Sequence, residues 1–114
     1  MNYMDFHCDT LGMFGKGPDQ GNLYENSGAV DLKRMKEAGC LAQFFATFLP
    51  PAEWRVKKGG PAKDEVFRDN LYQGLMGAIG EHSHMVGFAR SFRDYEENKK
   101  AGKICTCPLN YFYA

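Results

Sequence analysis

Residues 41–49 read LAQFFATFL, followed by Pro50-Pro51. Nearly every position is apolar, and three of them are phenylalanine. A strand that faces solvent on one side alternates apolar with polar residues, whereas a strand covered on both sides does not. The stretch therefore reads as a strand inside a parallel sheet with helices packed on it. Pro50-Pro51 ends it, because proline cannot donate to a ladder. Gln43 is the polar residue set within this Phe-rich run. It either reaches into a site or satisfies a neighbouring backbone group, and the second reading is preferred.

Upstream, DLKRMKEA (residues 31–38) reads as a short helix. Asp31 caps its start, and Gly39 takes the left-handed position after its end. Leu32, Met35 and Ala38 fall on one side of it. Residues 13–28 hold four glycines and read as a loop. Before that loop, NYMDFHCDT (residues 2–10) alternates Met4, Phe6 and Cys8 with Tyr3, Asp5, His7 and Asp9, the period of a strand. Downstream, residues 53–63 read as a charged Gly/Pro loop. Asp64 to about Glu81 reads as the longest helix, with Phe67, Leu71, Leu75 and Ile79 repeating every four residues. Gly74, Gly77 and Gly80 each weaken that helix by up to about 1 kcal/mol relative to Ala. Met85 to Ala89 is a short strand, Ser91 opens a helix to about Ala101, Gly102 stops it, and Ile104 begins another apolar stretch. The order β-α-β-α-β-α-β predicts a parallel α/β architecture.

Composition bounds the function classes. With 114 residues the chain is one domain at most, too short for a complete (β/α)8 barrel. Lys plus Arg equals Asp plus Glu at 14 each, so charge gives no argument for nucleic acid or an anionic membrane. No apolar run has the roughly 20 residues of a membrane span. Asp5, His7 and Asp9 interrupt the N-terminus where a signal peptide would be apolar. With no secretory signal, Cys8, Cys40, Cys105 and Cys107 read as free thiols in a reducing cytoplasm. Neither GxGxxG nor GxxxxGK[ST] occurs.

His7 and Asp9 carry the clearest chemical signal. Two residues apart on a strand, they share a face at its C-terminal end, where parallel α/β proteins gather ligands. An imidazole and a carboxylate converging there suit zinc or a similar divalent ion; a structural His–Asp hydrogen bond is the equal alternative. His82 and His84 lie between a helix and a strand, at the wrong edge of the sheet, and read as a solvated connector. Cys105-x-Cys107 is too short a spacing for common zinc knuckles and lacks a partner pair. Lys57, Lys58 and Lys63 read as a solvated face.

These residues match a known pattern. Asp5-Phe6-His7-Cys8-Asp9-Thr10 resembles the opening metal motif of the renal (microsomal, or membrane) dipeptidase family, a branch of the amidohydrolase superfamily. VDLKRMKEAGCLAQFFATFLPP, from Val30 to Pro51, is similar to that family's acidic cap, short helix, Gly and Gln-Phe strand. Phe88 through Ile104 resembles its strand, helix and Gly-Lys-Ile start of the next strand. The resemblance implies the first three to four β/α units of a (β/α)8 TIM barrel, incomplete in this chain. It implies two zinc ions in the full-length family, with His7 and Asp9 as the first two metal ligands and at most one ion weakly bound here. It implies hydrolysis of dipeptides; the free thiols give the expected cytoplasmic location, and the balanced charge and lack of an apolar span give the expectation of no nucleic-acid or membrane partner. In the family the strand after Gly-Lys-Ile continues to a metal-bridging Glu, and here no Glu follows Glu97.

Residues 1–104 are therefore expected to be the N-terminal part of a dipeptidase barrel domain. Residues 105–114 are expected to be a divergent tail, of the kind a frameshift or truncation leaves, out of register because Pro108 denies the strand a ladder bond. No catalytic residue is assigned and the substrate-binding residues stay unknown. The short chain is expected to be inactive alone and to self-associate through exposed strand edges. The alternatives are another metal-dependent amidohydrolase, or a non-catalytic truncated α/β fragment.

Overall fold

The computed structural model describes residues 2–112. The elements run β1 (Tyr3–Cys8), a 3-10 helix (Thr10–Phe14), α1 (Leu32–Ala38), β2 (Cys40–Leu49), α2 (Ala52–Lys57), α3 (Asp64–Glu81), β3 (Val86–Phe88), α4 (Phe92–Lys100) and β4 (Ile104–Phe112). All pairings in the four-stranded sheet are parallel, in the order β1-β2-β4-β3. Among the described residues, no helix is long and apolar enough to cross a membrane.

Local chemistry sets the expected boundaries. The Asp31 carboxylate accepts from the Arg34 N–H at the start of α1, and Gly39 closes it at φ 86°. Ser91 caps α4 by accepting from the Asp94 N–H, and Gly102 follows at φ 72°. Two short helices were not expected. Leu11 and Phe14 of the 3-10 helix bury themselves in the core. Residues 53–57, expected as part of a loop, belong to α2, whose inward residue is Arg55 and not an apolar one. The buried Arg55 guanidinium donates to the carbonyls of Pro50, Pro61 and Ala62 and pairs with Asp64. A turn anchored by a polar side chain leaves no apolar periodicity to read.

The strand order refines the expected β/α units. Consecutive barrel units would place β3 beside β2, whereas β4 occupies that place and β3 is a three-residue strand at the sheet edge. The chain thus crosses from β2 past the β4 position to β3, then returns through α4. A right-handed return in the opposite direction puts its helix on the opposite face. Accordingly α1 and α3 pack Leu32, Met35, Phe67, Leu71 and Leu75 against Phe45 and Leu49 on one face. Tyr95 of α4 packs with Ala42, Ala89 and Cys105 on the other.

The expectation that the tail leaves the register does not hold for Ile104–Phe112. β4 pairs with β2 without interruption, from Ala42↔Cys105 to Leu49↔Phe112. Proline is tolerated at position 108 for a geometric reason. The Ile104 N–H donates to Met85 and the Thr106 carbonyl accepts from Ala89, so even-numbered residues of β4 turn their polar groups toward β3. Pro108 shares that parity but lies beyond the end of β3, where no ladder bond is owed. Tyr113 and Ala114, also assigned to the tail, lie outside the described residues.

β1 departs from strict alternation. Asp5 pairs with Gln43 and Cys8 with Phe45, so three β1 residues span two of β2. Met4 and Phe6 line the open face, and the bulge turns Cys8 into the helix-covered core.

Candidate metal centre

The bulge and the end of β1 bring the expected pair together. His7 is the last residue but one of β1 and Asp9 follows the strand, and His7 Nε2 lies 3.2 Å from Asp9 Oδ1 with both side chains about half exposed. Two donors each about 2.0–2.2 Å from a tetrahedral ion sit roughly 3.3–3.6 Å apart. The two atoms are therefore spaced as one edge of such a coordination shell, and equally as a direct hydrogen bond.

Behind the pair, the sheet is held by Gln43. Its buried amide donates to Asp5 Oδ2 at 2.8 Å and to the Phe44 carbonyl at 3.2 Å. The preferred reading, satisfaction of a backbone group, covers the second bond. The first ties β2 to β1 two residues before His7.

The other candidates go elsewhere. His82 stacks on Tyr24 at 4.4 Å between centroids, and His84 is 6.2 Å from His82. Both belong to the connector before β3, as expected. Lys58 rests over the Trp54 ring, while Lys57 and Lys63 are exposed. Cys8, Cys40, Cys105 and Cys107 are free. Burial pushes the Cys8 and Cys40 thiols up. Burial, with the neighbouring Cys105, pushes Cys107 up to about 12. Among the described residues, no group of three or more His, Cys, Asp or Glu converges as a metal site. His7 and Asp9 thus fit two positions on one ion, and the described residues do not supply a binuclear centre.

Sequence reading missed a cavity of about 1040 Å³ on the open face of the sheet. Met4, Phe6, Phe44 and Phe92 give it apolar walls, and Arg90 and Tyr72 meet at its rim through a 3.1 Å hydrogen bond. The signal available was the Phe-rich β2, whose alternate side chains need cover on both faces.

No protein-family model matches the chain, and neither does any curated protein sequence. Solved structures do. The probable dipeptidase PvdM from Pseudomonas aeruginosa superposes with a TM-score of 0.70 at 20% identity, covering 96% of this chain and 28% of that one. A dipeptidase AC, described as a metallopeptidase of family M19, gives a TM-score of 0.66 at 18% identity, covering 96% of this chain and 36% of that one. The parallel α/β fold is thus shared with segments of two dipeptidases, and the chain spans about a third of their length or less.

Proposed function

We propose that this chain is the metal-ligand-bearing opening segment of a zinc dipeptidase of the renal type, built as part of a (β/α)8 barrel and working in the reducing cytoplasm. The observation that carries the reading is the 3.2 Å approach of His7 Nε2 to Asp9 Oδ1 at the C-terminal end of β1. The fold shared with two dipeptidase structures supports it. His7 and Asp9 would hold zinc through a neutral imidazole nitrogen and a carboxylate oxygen. When bound, a divalent ion lowers the pKa of its water and polarises the scissile carbonyl. Gln43 and Asp5 keep β1 and β2 locked so that the pair stays in position. Two ligands leave the rest of the coordination shell to water, and among the described residues no positioned base accompanies them, so the 114-residue chain alone is inactive. Residues 105–114 remain, in this reading, divergent in sequence, although residues 105–112 keep the register.

Two measurements test the proposal. In a Zn2+ titration followed by NMR, the His7 ring resonances shift and those of His82 and His84 do not; a His7 ring that ignores the metal overturns the ligand assignment. With zinc added, the chain gives no turnover of L,L- or L,D-dipeptides. Turnover abolished by chelation and by His7→Ala would show that the chain is catalytically complete.

A further inference from the structure

The spacing Cys105-x-Cys107 does not match common zinc knuckles, yet the fold places the two sulfurs 3.7 Å apart. They project from one face of β4, next to Ala42 and Phe44 of β2. Two thiolates on a tetrahedral ion, with bonds of about 2.3 Å, are separated by roughly 3.8 Å. We propose that Cys105 and Cys107 form a chelating dithiolate site for a zinc-class divalent ion, entered from the cavity on the open face of the sheet.

Three features favour a chelate over the alternatives. The first is access: Cys105 is buried, but Cys107 lines the cavity of about 1040 Å³, which leaves room for the ion's remaining ligands. The second is support for the inner sulfur. Asn98 Nδ2 lies 3.9 Å from Cys105 Sγ and donates to the Phe88 carbonyl at 3.1 Å. It can sit there because residue 87 is glycine; a Cβ on Gly87 would fall 2.0 Å from Asn98 Oδ1. A donor held beside a thiolate ligand steadies it. The third is charge. Two S–H bonds break, two metal–sulfur bonds form and two protons pass to solvent, so a divalent ion gives a neutral complex in apolar surroundings. A monovalent soft ion would leave a buried negative charge. A disulfide is disfavoured by the backbone. Strand geometry sets these Cα atoms about 6.6 Å apart, near the upper limit for a bridge, and β4 is paired at Cys105 on both sides.

The site is independent of His7 and Asp9, and Co2+ distinguishes them, because only thiolate ligands give an intense sulfur-to-cobalt charge-transfer absorption. The chain, kept reduced with a phosphine, is titrated with Co2+ and then back-titrated with Zn2+. The absorption develops to one equivalent, is displaced by Zn2+, persists in His7→Ala and disappears in Cys107→Ser. Asn98→Ala weakens binding by about 10–100-fold. Cys107 is only partly buried, so Cys107→Ser is the variant expected to keep its fold, checked by far-UV circular dichroism. No sulfur-to-cobalt absorption in the folded wild-type chain, or an unchanged absorption in folded Cys107→Ser, overturns the proposal.

Discussion

The two faces of this sheet carry similar side chains and meet different fates. On the face covered by α1 and α3, Phe45 is fully buried and packs with Leu32, Leu71 and Leu75. On the opposite face, Phe6 is 68% exposed and Met4 43%, and Phe92 at the cavity wall is 72% exposed. α4 covers that face only near β3 and β4, through Tyr95 over Ala89 and Cys105. Residue type did not sort these phenylalanines. The direction of each crossover did: two helices return on one side, while the short return from β3 to β4 puts a single nine-residue helix on the other. The bare half of the open face leaves Met4 and Phe6 exposed. Alone, it is where self-association is expected.

The largest test of this contrast replaces one phenylalanine on each face. Phe45→Ala removes a fully buried ring and should cost about 3–5 kcal/mol in denaturant unfolding. Phe6→Ala should change stability by no more than about 0.5 kcal/mol while reducing self-association by sedimentation. Equal costs at the two positions would mean that the open face is covered in solution.

The covered face can be sharpened through its glycines. Gly74 faces the Phe14 ring, and a Cβ there would fall 2.2 Å from Phe14 Cγ. Gly74→Ala should therefore destabilise by about 1–3 kcal/mol through overpacking, despite the better helix former. Gly77 has nothing within 4 Å of its Cβ position. Gly77→Ala should stabilise by up to about 1 kcal/mol. A thermal-denaturation shift of the same sign for both would break the assignment of α3 to that face.

The smallest expected effect lies at the N-terminus of α1. Burial pushes the Asp31 carboxyl up, but the N–H groups of Arg34 and Asn26 and the Arg34 guanidinium outweigh it, holding the carboxyl below its ordinary value. A lowered native pKa contributes stability that is fully present above the unfolded value of about 4 and is lost as pH falls through the native value. Asp31→Ala should cost about 0.5–2 kcal/mol at neutral pH. The difference from wild type should shrink as the unfolding midpoint is followed into acid. A difference that stays constant would assign the loss to something other than the charged cap.

Much of this was legible in the chain because it is local chemistry. Asp31 and Gly39 bracket α1, Ser91 and Gly102 bracket α4, and the four-residue repeat of α3 marks its length. The pairing of His7 with Asp9 also follows from adjacency on one strand end. What was not legible depends on partners far away in sequence. α2 exists because Arg55 finds carbonyls on both sides of a turn, and a charged residue gives no apolar signal. Pro108 is acceptable only because β3 stops before reaching it, which no reading of residues 104–112 alone could reveal. The approach of Cys105 and Cys107 needed β4 paired with β2 at both residues and with β3 at Cys105, with Asn98 resting on Gly87. Sequence alone determined where α1, α3 and α4 begin and end and which residues wait at the end of β1. Tertiary structure decided the strand order, and with it which face of the sheet is buried and which stands open. Periodicity records whether a side chain wants cover, whereas cover itself comes from the path of the chain.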